Sequence, residues 1–124
     1  MEALTEADKA ESMKSFRSTI QKSENALSSM TNKGANTTLV AKRLQALRIG
    51  LAVLEQVWDE KHHPYTHEEL AEARILLAGL LPSIEGIYAK SKPSSPQKTL
   101  LERRIKSLEL AIQAMNDRND KKNV

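Results

Sequence analysis

Cysteine is absent from the 124 residues, so no disulfide and no thiolate metal site can form. Aromatic residues are nearly absent as well: one Trp, one Phe and two Tyr. A core without aromatics must be built from Leu, Ile, Val, Ala and Met. That composition suits packed helices better than a β-sandwich or barrel, whose strands favour β-branched and aromatic side chains. No long hydrophobic run occurs. The longest, Ile75–Leu81, is far below the roughly 20 residues that span a bilayer. The opening residues, Met1 to Glu6, lack the charged-then-apolar order of a signal peptide. These absences predict one soluble, cytoplasmic domain over 1–124. The formal net charge of +3 permits an anionic partner without demanding one.

What the chain does contain is a repeat. Residues 1–61 laid on 62–122 without a gap give ten identical pairs, among them Thr5/Thr66, Glu24/Glu85, Thr38/Thr99, Leu39/Leu100, Arg43/Arg104 and Leu47/Leu108. Random pairing at ordinary composition would give roughly four or five. Conservative pairs cluster in one block: Val40/Leu101, Lys42/Arg103, Leu44/Ile105, Ile49/Leu110, Leu51/Ile112 and Leu54/Met115. A period of this length is one supersecondary unit used twice.

Each unit reads as a helical hairpin. Thr5 is placed to cap a first helix whose apolar positions are Met13, Phe16, Ile20, Leu27 and Met30. A turn around Gly34 follows, and Thr37 or Thr38 is expected to cap a second helix. There Val40, Leu44, Leu47, Leu51, Leu54 and Trp58 step by four and three, a seam suited to antiparallel packing. Thr66 and Glu69 form a capping-box pattern at the start of a third helix. Its stripe of Leu70, Leu77, Leu81, Ile84 and Tyr88, widened by Leu76, Leu80 and Ile87, predicts the most buried helix. Pro82 predicts a kink or short break within it. A last helix from about Gln97 repeats the seam with Leu101, Ile105, Leu108, Ile112 and Met115. The expected fold is all-α: a four-helix bundle of two tandem hairpins, 5–59 and 66–117, related by a pseudo-two-fold axis, with 118–124 a frayed tail. An intertwined or paired dimer is a natural variant of a duplicated hairpin.

Four constellations merit chemical reading. A turn near Gly34 would set Glu24 opposite Arg43, and the repeat would set Glu85 opposite Arg104, as structural ion pairs or as a symmetric anion site. The starts of the second and fourth helices join hydroxyls and free N–H groups to bases: Thr38, Lys42 and Arg43 in one half, Lys98, Thr99, Arg103 and Arg104 in the other. Helix starts of this kind can hold phosphate, and they also serve as ordinary caps. The central connection gathers Trp58, His62, His63, Tyr65 and His67. It reads as a binding loop or as a linker with Trp58 closing the bundle. Pro64 separates His63 from His67, which argues against a helical metal pair. Finally, Ala46, Gly50 and Val53 match Ser107, Ala111 and Ala114, a stripe of small residues that permits close helix approach within the bundle or between subunits.

No convergent catalytic set, cofactor motif or metal motif is present, and no basic face carries stacking aromatics for nucleic acid. In size, helix pattern and charge the chain resembles bacteriocin immunity proteins, and also small phage proteins that sequester nucleotide signals of host defence. The first resemblance implies protein binding, the second capture of a nucleotide-like anion. The residues favour a non-enzymatic interaction protein that self-associates or binds a protein partner. The alternatives are an anion binder and an immunity-type protein.

Overall fold

The computed structural model describes the backbone of residues 4–122 and the side chains of residues 4–116. It is an all-helical bundle, with no strand among the described residues. Its helices are α1 (Glu6–Asn32), α2 (Thr38–Asp59), α3 (His67–Lys90) and α4 (Pro96–Lys122).

Local chemistry sets the helix starts. Thr5 Oγ1 accepts the Asp8 N–H at 3.0 Å, while the Asp8 carboxylate accepts the Thr5 N–H at 3.3 Å. Thr66 and Glu69 do the same for α3, at 3.2 and 3.0 Å. Each box satisfies two backbone groups that the first turn would leave bare. The start of α2 departs from expectation. Neither Thr37 nor Thr38 caps it through a side chain. Asn36 Oδ1 accepts the Thr38 N–H at 3.0 Å instead. Before α4, Ser95 Oγ accepts the Lys98 N–H at 3.1 Å, and Pro96 takes the first helical position, where a missing N–H costs nothing. Gly34, at φ +71°, turns the chain between α1 and α2. α4 is helical to Lys122; the rest of the expected tail, 123–124, lies outside the described residues.

α2 and α4 are the central pair. Each packs against all three other helices, whereas α1 and α3 bring no two Cα atoms within 8 Å of one another among the described residues. This arrangement corrects the expected order of burial. α2 buries Leu44, Ala46, Leu47, Ile49, Gly50, Val53 and Leu54, while α3 buries only Ala73 and Leu77. Leu70, Leu76, Leu80, Leu81 and Ile84 of α3 reach the core but stay half-buried. A helix with two neighbours cannot cover as much of its circumference as one with three. Nor does Pro82 break α3, which is continuous through it. Pro82 is exposed, so its ring projects away from the bundle.

The small residues answer to intra-bundle packing. Ala46, Gly50, Val53, Ser107 and Ala111 are all buried. A Cβ at Gly50 would lie 3.0 Å from Leu77 Cδ1 and 3.0 Å from Phe16 Cε1. The missing side chain thus lets α1 and α3 press their largest core residues onto α2 from two sides. Buried Ser107 donates its hydroxyl to the Arg104 carbonyl at 2.8 Å, so the polar atom costs little in the core.

Candidate interaction surface

The residues singled out in the sequence do not converge. Thr38 and Thr99 are exposed at their helix starts, and the Thr99 hydroxyl reaches the Ser95 carbonyl at 3.5 Å. Lys98 sits 4.4 Å above the Tyr88 ring, a cation–π contact. Arg103 lies 3.5 Å from Glu11 of α1. Arg104 is half-buried, its Nε has no hydrogen-bond partner among the described residues, and burial holds its guanidinium below the ordinary arginine pKa. Arg43 is exposed and makes no ion pair among the described residues.

The expected Glu24–Arg43 pair is replaced by Glu24–Arg48, at 2.7 Å. The reason is the length of the turn. α1 runs to Asn32 and α2 starts only at Thr38, so the hairpin pivots beyond Gly34 and Glu24 meets a later residue of α2. Glu85–Arg104 fails with it. The residue 61 positions after Arg48 is Glu109, and Glu85 and Glu109 both line the α3–α4 groove, with Tyr88, Glu102, Ile105 and Lys106.

In the central connection, His63 Nδ1 accepts the Tyr65 N–H at 3.2 Å, and the two rings lie 5.7 Å apart. Trp58 and Tyr65 pack on the edge of the core, while His62 and His67 are exposed. The segment is therefore a folded connection with His63 and Tyr65 as its internal brace. Among the described residues no group of three or more His, Asp or Glu side chains is placed to hold a metal ion.

A different surface stands out, and it belongs to α3. Among the described residues three ion pairs cross between helices, and α1 supplies the acid to each: Asp8–Lys106 at 3.6 Å, Glu11–Arg103 at 3.5 Å and Glu24–Arg48 at 2.7 Å. The acids 61 positions later on α3 are Glu69, Glu72 and Glu85, and none forms an ion pair among the described residues. Glu69 and Glu72 instead rim an open groove of about 130 Å³ between α2 and α3, floored by Ala46, Ile49, Ala73 and Leu76, with Lys42 on the far edge.

The outward side of α3 differs from that of α1 in the same sense. The exposed residues Lys14, Arg17, Ser18, Gln21, Lys22 and Asn25 give α1 a charged, solvated face. The matching residues on α3 are Ile75, Ala78, Gly79, Pro82, Ser83 and Gly86. All six are exposed and none is charged. Ile75 is 63% exposed and Ile87 48%. A Cβ at Gly79 or at Gly86 would meet nothing within 4 Å, so the single chain gives neither glycine a packing reason. Each costs about 1 kcal/mol of helix propensity relative to Ala.

The sequence pattern predicts α3 as the most buried helix, with Leu76, Leu77, Leu80 and Leu81 in its stripe, and assigns Ile75 to no face. The signal that could have marked an outward face was the pair of glycines at a seven-residue interval in an otherwise strong helix former. Comparison with protein-family models, curated proteins and solved structures returns no match.

Proposed function

We propose that this chain is a non-enzymatic helical interaction protein whose working surface is the outward face of α3, carried on a bundle made by duplicating one helical hairpin. The duplication is supported by burial as well as by sequence. Ser12, Phe16, Ala46, Leu47, Gly50 and Leu54 are buried, and so are Ala73, Leu77, Ser107, Leu108, Ala111 and Met115, each 61 positions later. Both starting helices also carry a capping box at matched positions.

The observation that carries the functional reading is the contrast between the two matched faces. Duplication starts with equal surfaces. One now has the charged composition of a solvated helix, and the other carries no charge at the matched positions, with an exposed Ile and two glycines that packing within the chain does not explain. Exposed apolar patches with small residues mark association surfaces. Three acids without ion pairs leave the flanks of α3 less tied to its neighbours than those of α1.

The test is photo-crosslinking from a single reactive residue, at position 75 and, as the matched control, at position 14, in cells expressing the chain. The proposal expects discrete protein adducts from position 75 and few from position 14. Equal yields from both positions, or none from 75, would refute it.

A further inference from the structure

Resting on the reading of α3 as the working surface, we infer that its occupant is a second copy of this chain, with the two α3 helices antiparallel about a two-fold axis between Gly79 and Ser83. The support is self-complementarity. At about 100° per residue, Glu68, Glu72, Ile75, Gly79, Ser83, Gly86 and Lys90 fall on one stripe of the helix. All seven are exposed. The stripe is acidic where α3 begins and basic where it ends. Glu68 and Glu72 lie at one end, Lys90 at the other, and Lys92 follows just beyond. A parallel arrangement would stack like charges. An antiparallel one sets each acidic start on the basic end of the other copy, which also opposes the two helix dipoles favourably.

The register follows from the residues. With Gly79 opposite Ser83 of the second copy, Glu72 faces Lys90 of the second copy, and Ile75 comes level with Ile87 of the second copy, one residue from the open side of its Gly86. The two-fold axis repeats both contacts. Each Ile75 then has a hollow beside it, because nothing in its own chain occupies the space beside Gly86. Close approach of backbones at Gly79 and Ser83 gives the glycine its use. The interface is isologous and closed, so it stops at a dimer. One helix pair buries less than the roughly 1,600 Å² of a standard stable interface, so the dimer forms and dissociates with concentration.

The experiment is sedimentation equilibrium on the full chain over a wide concentration range, with charge reversals. Wild type should fit a monomer–dimer equilibrium. Glu72→Lys alone, or Lys90→Glu alone, places like charges at both contacts and should weaken the dimer by roughly tenfold or more. Mixing the two single variants restores both pairs in the heterodimer, and the double reversal restores them in the homodimer. Both should associate like wild type. Circular dichroism on each variant checks that the bundle is intact, as both positions are exposed. A wild type that stays monomeric throughout, or a dimer indifferent to the reversals, would overturn the inference. If the chain is monomeric yet position 75 still captures another protein, the working surface stands and only the self-pairing falls. If neither occurs, both fail.

Discussion

Gly50 and Gly79 pose the same substitution in opposite surroundings. At Gly50 an alanine methyl would arrive 3.0 Å from Leu77 Cδ1, 3.0 Å from Phe16 Cε1 and 3.2 Å from Phe16 Cζ. Comfortable carbon contacts lie at about 3.5–4.0 Å, so both neighbours must retreat. Neither has room, since Phe16 is 1% exposed and Leu77 0%. Overpacking of this kind costs about 1–3 kcal/mol, against about 1 kcal/mol gained in helix propensity. Gly50→Ala should therefore lose roughly 1 kcal/mol net. At Gly79 the methyl meets nothing within 4 Å, and the full propensity gain of about 1 kcal/mol should appear. The assay is urea unfolding followed by far-ultraviolet circular dichroism, with Trp58 fluorescence as a second probe. Low protein concentration keeps association out of the result. The midpoint should fall for one variant and rise for the other, with unchanged m-values. A Gly50→Ala protein as stable as wild type would mean that α1 and α3 settle freely around α2, and the account of the central pair would be wrong.

Other perturbations reach the remaining features. A double-mutant cycle on Glu24 and Arg48 should give a coupling of about 0.2–1 kcal/mol, as for exposed pairs. The same cycle on Glu24 and Arg43 should give none within error. Thr66→Ala removes the acceptor for the Glu69 N–H and should cost about 1 kcal/mol in the same unfolding assay. Asp8 is held below the usual carboxylate pKa by its hydrogen bonds to Thr5, the backbone bond first, and then by Lys106. A depressed folded pKa gives stability that is complete above the unfolded value of about 3.9 and is lost as pH falls through the folded value. The acid limb of a stability–pH profile should therefore be shallower for Asp8→Asn than for wild type. Pro82→Ala restores a backbone bond to Ala78 at an exposed site and should raise the unfolding midpoint, by up to about 3 kcal/mol in free energy.

Some features set by near neighbours in the chain were readable in advance, though the Asn36 cap of α2 was not. Thr5 with Asp8, and Thr66 with Glu69, close a box within one turn, so three residues of spacing are enough information. The four-and-three step from Leu44 to Leu54 likewise needs only helix geometry. The Arg48 pairing was not readable because it turns on where a five-residue connection pivots, and a small error there moves the partner by more than one turn. The exposure of α3 was hidden for a deeper reason. Ile75 and Leu77 are equally apolar and two residues apart, yet one is 63% exposed and the other 0%. Hydrophobicity records willingness to be covered. It does not say whether the cover is the same chain, and that depended on α3 having two neighbours where α2 has three. The candidate site residues at the helix starts met a related difficulty. Lys98 and Arg103 look available in sequence, but Tyr88 and Glu11 already engage them.

The separation of α1 from α3 also bears on how the chain acquires this shape. Each hairpin can form from contacts close in sequence, and such contacts form quickly. Joining the halves runs through α2 or α4, because the backbones of the outer helices stay apart from one another. α2 and α4 lie about half a chain apart and are the pair against which every other helix rests, so their meeting is expected to limit refolding. Truncating buried side chains such as Leu47 or Leu108 should slow refolding. Truncating Met13 on α1 should leave the folding rate nearly unchanged and hasten unfolding instead.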